Sequence, residues 1–209
     1  MTAGLADDID RMVPEGTSLP AALPADVFTA AVDTYASRRR LDMQALARQL
    51  GVPRATLYRK VGNREQVLDE VLWWRTRRAL VTAIHDASAV RGIERVVAVF
   101  ASVLSAVEGD ASLRALLEAD PELGLRILTG TRSRVGRGVL RAVETLLVME
   151  AERGELVTDI DAPTLAYALV RIAEGFLYAD LIADRKPDTD RAVQLVEALL
   201  RGLDSARRR

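Results

Sequence analysis

Residues 41–67 read Leu41-Asp-Met-Gln-Ala-Leu-Ala-Arg-Gln-Leu-Gly51-Val-Pro-Arg-Ala-Thr-Leu-Tyr-Arg-Lys-Val61-Gly-Asn-Arg-Glu-Gln-Val67, and this stretch decides the fold. Leu46 and Leu50 are four residues apart and share one face of a short helix, with Asp42, a helix-capping type, in front of it. Ala47 is small where a second helix has to cross closely. Gly51 permits the positive φ of a sharp turn, and Val52 and Leu57 anchor the helix that follows. Two short helices, near 43–50 and 54–61, meeting steeply around a glycine turn have the spacing of a helix-turn-helix.

The outward positions of the second helix are Arg54, Ala55, Thr56, Tyr58, Arg59 and Lys60. A helix of this kind fits the major groove of double-stranded DNA, with its N-terminal part toward the base edges. Arginine donates two hydrogen bonds to guanine, so Arg54 and Arg59 are the candidate base readers, and Ala55 suits a thymine methyl. Thr56, Tyr58 and Lys60 suit phosphates. Gly62 is placed to stop this helix, and Asn63 and Gln66 have capping-box spacing at the start of the next. Free N–H groups there, with Arg64 beside them, would suit a phosphate. Charge agrees: residues 36–64 hold eight cations and one acid, +7 over 29 residues, in a chain whose net charge is −1. A basic block on a near-neutral chain points to a polyanion contact confined to one region.

Outward from this segment, helical periodicity runs almost throughout and strand-like alternation is absent, so the fold class is all-α. Residues 1–20 read as a loosely ordered arm, acidic and punctuated by Gly4, Pro14, Gly16 and Pro20, with no apolar run of a secretory signal. Helices are expected near 25–38, 63–87, 92–107, 111–128 (interrupted by Pro121), 131–153, 162–183 and 188–203. The organisation expected is an arm to residue 20, a DNA-binding domain over 21–62 and an effector-binding and dimerisation domain over 63–209. The most apolar stretch, Leu165 to Ile182, carries Arg171, Glu174 and Asp180, too many charges for a lipid-spanning helix. A cytoplasmic protein is expected, with no membrane partner.

The absence of cysteine excludes disulfide and thiol chemistry, and a single histidine, His85, leaves no zinc site of the usual kind. No metal, nucleotide or nucleophile motif is present; no cofactor is expected, and an enzyme is not. Arg171 and Glu174, three apart on an apolar helix, either pair structurally or meet a polar ligand. With Trp73, Phe100, Tyr167 and Tyr178 they are the candidate effector pocket, the aromatic residues being equally candidates for core. Val193, Val196, Leu199, Leu200 and Leu203 form a stripe on the last helix that suits a two-fold dimer, and ordinary packing inside one chain is the alternative.

Leu46-Ala47, Gly51-Val52, Thr56-Leu57-Tyr58 and Asn63-Arg64-Glu65 follow in order the motif of the TetR family of transcriptional regulators, which the chain resembles. Asp42 departs from the threonine or serine typical there, and Val61 stands where an aromatic residue is common. The run from Thr56 to Gln66 with Trp73, and Arg171-Ile-Ala-Glu-Gly-Phe-Leu-Tyr-Ala-Asp180, look like a QsdR-type subgroup associated with lactone-signal degradation. The resemblance implies a homodimer with its DNA-binding heads apart and an effector pocket in each C-terminal domain. It further implies a repressor released from a palindromic operator by a small, largely apolar, lactone-like effector. An all-helical hydrolase or lyase built on Arg171 and Glu174, and an interaction protein with a solvated basic face, are the rival readings.

Overall fold

The computed structural model describes residues 9, 11–13, 23–183 and 185–207, without the side chains of 205–207. Among these the chain is helical and has no strand. The helices are α1 (Ala25–Ala36), α2 (Met43–Gln49), α3 (Arg54–Val61), α4 (Arg64–Asp86), α5 (Gly92–Glu108), α6 (Ala111–Ala119), α7 (Pro121–Thr129), α8 (Arg134–Glu152), α9 (Ala162–Ile182) and α10 (Thr189–Arg207), with a 3₁₀ turn at Ala87–Ala89. Pro121 splits the helix expected over 111–128, standing in the first turn of α7 where its missing N–H costs nothing. Helix α10 runs past the expected end at Leu203. Of the arm expected over 1–20, most lies outside the described residues. Within it, Val13 donates its N–H to the Ile9 carbonyl at 2.8 Å, and Met12 and Val13 are buried.

Two compact units emerge. One, here the N-terminal unit, runs to Arg77 and includes Asp110–Arg137; the other, the C-terminal unit, comprises Arg78–Gly109, Gly138 onward and residues 9 and 11–13. The edges of these units do not coincide with a division at residues 62–63, because the first half of α4 and helices α6 and α7 belong with α1–α3.

In the N-terminal unit, α1 packs on α2 and α2 on α3. Val27, Ala31 and Tyr35 recur on the buried face of α1, and Phe28 meets Trp74 edge to face at 5.6 Å. Two aspartates bind α4 to the segment that follows residue 109. Asp110 caps α6, accepting from the Ser112 and Leu113 N–H groups at 2.9 and 3.2 Å, while its second oxygen accepts from Arg75 at 2.8 Å. Asp120 caps α7 in the same way through Leu123 at 3.3 Å, and its second oxygen accepts from Arg64 at 2.6 Å. Each carboxylate thus satisfies a helix N-terminus and a guanidinium together.

In the C-terminal unit, α5 packs against α10, and α9 against both. Ala192, Val196 and Leu200, all fully buried, form the inward row of α10. One ion pair lies inside this core. Glu150 of α8 and Arg95 of α5 are both 0% exposed and 2.9 Å apart. Glu150 also accepts from Arg153 at 2.6 Å and from the Gly92 N–H at 2.6 Å, so the cost of burying its charge is offset by three donors.

Two glycines are required by geometry. Gly51 has φ +65° with open space where a side chain would begin, whereas Gly92 has φ +62° and a Cβ there would approach the Glu155 carbonyl oxygen to 2.8 Å. Gly51→Ala is therefore expected to cost only the left-handed strain, about 1–2 kcal/mol, and Gly92→Ala distinctly more, because backbone must also move. Thermal unfolding of both variants checks this; equal losses would contradict the close approach at Gly92.

Candidate nucleic-acid interface

The local chemistry of residues 42–66 sets the direction of α3. The Asp42 carboxylate caps α2, accepting from the Ala45 N–H at 2.7 Å, and this bond, with Arg48 and Arg54 nearby, holds its carboxyl below the ordinary range. After Leu50 the chain turns at Gly51, and Val52 donates back to the Ala47 carbonyl at 3.0 Å, so the turn closes on α2. Pro53 precedes α3 and its carbonyl accepts the first helical bonds from Thr56 and Leu57. Leu46, Ala47, Leu57 and Val61 are all buried. Gly62 then ends α3 at φ 73°, and the expected capping box forms: Asn63 N–H to Gln66 Oε1 at 2.9 Å, and Gln66 N–H to Asn63 Oδ1 at 3.0 Å.

With Leu57 and Val61 turned inward, Arg54, Ala55, Arg59 and Lys60 are exposed, and Thr56 and Tyr58 are half-buried at the margins. The Arg54 guanidinium lies 5.2 Å from the centre of the Tyr58 ring and bonds its hydroxyl at 3.3 Å, which restricts the arginine before any ligand arrives. Arg64 differs from the other six candidates. It donates to the Leu41 carbonyl at 3.0 Å and to Asp120 at 2.6 Å, so its guanidinium ties the entry of α2 to the α7 cap and does not face outward as a phosphate ligand. Sequence spacing gave no sign of Asp120, 56 residues away.

The candidate effector residues divide between the two units. Trp73 is buried in the N-terminal unit, while the other five belong to the C-terminal unit, where Phe100 is buried on α5. Tyr167, Arg171, Glu174 and Tyr178 recur at helical spacing along one face of α9, opposite its buried row of Leu165, Leu169, Leu177 and Leu181. Tyr167 is 51% exposed, so it is not part of the core of its own chain. Its ring lies under Arg171 at 5.0 Å, and Arg171 pairs with Glu174 at 2.8 Å. Burial pushes the Glu174 carboxyl up to about 7 against the pull of Arg171, and burial and the Glu174 charge raise the Tyr178 hydroxyl. A groove of about 410 Å³ opens elsewhere in this unit, between Ala101, Ser105 and Glu108 of α5 and residues 186–190 with Val193. None of the six candidates lines it. Its walls carry Ser105, Glu108, Asp188, Thr189 and Asp190, with Thr189 donating to Glu108 at 2.7 Å, a polar setting unsuited to the apolar effector expected.

The residues of the expected dimer stripe divide by burial. Val196 and Leu200 are fully buried within their own chain and have no surface left to bury against another. Val193, Leu199 and Leu203 are half-buried, and the large apolar side chain that α10 exposes is Leu195, at 48%. A stripe as wide as this one leaves open which edge the rest of the chain covers.

The family model described as "Tetracyclin repressor-like, C-terminal domain" matches residues 91–201. No curated protein matches the chain. Among solved structures it is similar to the transcriptional repressor QsdR of R. erythropolis, from the TetR family, with 34% identity and a TM-score of 0.75 over 85% of this chain and 96% of that one. It is also similar in fold to the transcriptional regulator FadR from Bacillus subtilis in complex with stearoyl-CoA, at 18% identity and a TM-score of 0.58 over 84% of this chain and 96% of that one. With more than half its length matching the family model and a helix-turn-helix ahead of the match, the chain belongs to the TetR family of transcriptional regulators.

Proposed function

We propose that this regulator is a homodimeric repressor whose two α3 helices enter successive major grooves of a palindromic operator, and that a small molecule received by the C-terminal unit releases it. The single observation that carries the reading is α3 itself: apolar on the side sealed by α2, and cationic along the exposed side through Arg54, Arg59 and Lys60. Helices α1–α3 serve as the reading head, and the remainder receives the effector and joins two chains. The family supports a dimer, and the QsdR description as a repressor supports the direction of control. The FadR complex with stearoyl-CoA is a precedent within this fold for a bound small molecule.

Release requires that the effector bind one conformation more tightly than the other, and operator affinity changes by no more than that difference. The half-sites read by a two-fold dimer lie about one helical turn, or a multiple of it, apart.

The three cations separate by readout. In operator selected from a random pool, Arg54→Ala is expected to lose about 1–3 kcal/mol of discrimination at one base pair in each half-site. Lys60→Ala is expected to weaken binding to all sequences and to lower the salt slope by about one per protomer. Arg64→Ala is expected to lower stability by about 1–2 kcal/mol through loss of its bonds to Asp120 and Leu41, with the salt slope unchanged. Titration at several salt concentrations beside thermal unfolding checks all three. A salt slope altered by Arg64→Ala and untouched by Lys60→Ala would reverse the assignment.

A further inference from the structure

Three helices of this chain close with the same pair of backbone bonds, and one of them does so on an arginine. At the end of α2, Gly51 N–H donates to the Arg48 carbonyl at 3.2 Å and Val52 N–H to the Ala47 carbonyl at 3.0 Å. At the end of α8, Gly154 N–H donates to Ala151 at 2.9 Å and Glu155 N–H to Glu150 at 3.0 Å. This closure puts one residue in the left-handed region, and there Gly51 and Gly154 have φ 65° and 73°. At the end of α1 the bonds run from Arg38 to Tyr35 at 2.9 Å and from Arg39 to Thr34 at 3.2 Å, and the left-handed residue is Arg38, at φ 55°. Among the described residues no other side chain larger than glycine's stands at positive φ. A Cβ in that region crowds the following carbonyl oxygen, so the backbone at position 38 favours glycine.

The arginine gains nothing from its own chain in exchange. Arg38 and Arg39 are exposed, and neither guanidinium has a hydrogen bond or ion pair among the described residues. Arg40 differs from them, because its charge acts on the Asp120 carboxylate. The two free guanidiniums stand just ahead of α2, whose capping residue Asp42 is itself exposed. That position identifies the anion. When the second helix of a helix-turn-helix lies in the major groove, the first crosses the sugar-phosphate backbone, and in a three-helix head the connection into it meets the same backbone. Asp42 at this edge would repel a phosphate, so the cations beside it are what make the edge attractive to DNA.

We infer that Arg38 and Arg39 are phosphate ligands that grip the duplex backbone beside the groove entered by α3, and that arginine is kept at position 38 against the preference of its backbone for this contact. The planar guanidinium suits a phosphate, whose oxygens it meets with two parallel N–H groups. Such a contact fixes register and supplies affinity without reading sequence, which leaves discrimination between bases to α3. This inference rests on the operator binding proposed above and extends its contact surface from α3 to the connection between α1 and α2.

Stability and DNA affinity are expected to move in opposite directions at position 38. Arg38→Gly is expected to raise the melting temperature of the full chain by about 2–4 °C, because glycine takes the left-handed conformation without crowding. The same variant is expected to bind operator and random duplex alike about tenfold more weakly near physiological salt, with the salt slope lower by about one per protomer. Arg39→Ala is expected to lower the slope equally, and Arg38→Lys, which keeps the charge, to hold it near that of wild type. Operators carrying single uncharged methylphosphonates locate the contact: wild type is expected to lose affinity at one or two positions per half-site where R38G/R39A loses none. Affinities and slopes of Arg38→Gly and Arg39→Ala equal to those of wild type would overturn the contact and leave reading by α3 intact. An Arg38→Gly chain that melts below wild type would overturn the claim that the arginine is held against its backbone. A wild type that binds no duplex in a sequence-specific manner would instead remove the operator binding itself.

Discussion

Burial of Leu57 and Val61 against α2 is the constraint from which the function of this chain follows. An eight-residue helix has too little propensity to persist alone, so α3 exists because one side of it is covered. Those two side chains, 1% and 6% exposed, also fix its rotation about its own axis. Once they point inward, the positions of Arg54, Arg59 and Lys60 are determined by the 3.6-residue period. The Val52 to Ala47 backbone bond fixes the angle of approach, because it locks the first residue after the turn to the body of α2. The cationic surface is thus held by apolar packing and one turn, not by its charges.

Helices α1–α3 are also not an isolated three-helix body. Asp110 and Asp120 each divide their two oxygens between a helix N-terminus and an α4 arginine, so α6 and α7 are bound to the same unit as α1–α3. A carboxylate in both roles couples backbone position to side-chain position: a shift of the α6 or α7 N-terminus draws Arg75 or Arg64 with it. Through Arg64 the coupling reaches the Leu41 carbonyl at the entry of α2. In the C-terminal unit the Glu150 carboxylate performs the comparable task, joining Arg95 and the Gly92 N–H of α5 to α8.

What the sequence made legible was local. The turn at Gly51, the Asn63–Gln66 capping box and the break at Pro121 are each settled by residues within a few positions of one another. What it hid was distant. Asp120 lies 56 residues from Arg64 and Glu150 lies 55 from Arg95, and no periodicity reports such pairs. One signal was available: Arg95 and Glu150 stand on otherwise apolar faces, the same clue that singled out Arg171 and Glu174. On α9 that clue found a pair that does form, at 2.8 Å, but not its surroundings, since a charged pair on an apolar helix can face a cavity or a partner chain. On α10 the period gave the row, and only the packed chain distinguished inward Val196 and Leu200 from outward Leu195.

Atom-level editing of the operator tests most directly whether α3 reads base edges in the major groove. Replacing guanine by 7-deazaguanine removes the N7 acceptor that a bidentate arginine uses and leaves pairing and phosphates unchanged. Full-length protein is expected to lose about tenfold or more in affinity at one guanine per half-site, at positions related by the two-fold axis of the operator. Affinity unchanged by every such replacement, with binding still specific for the sequence, would contradict the account.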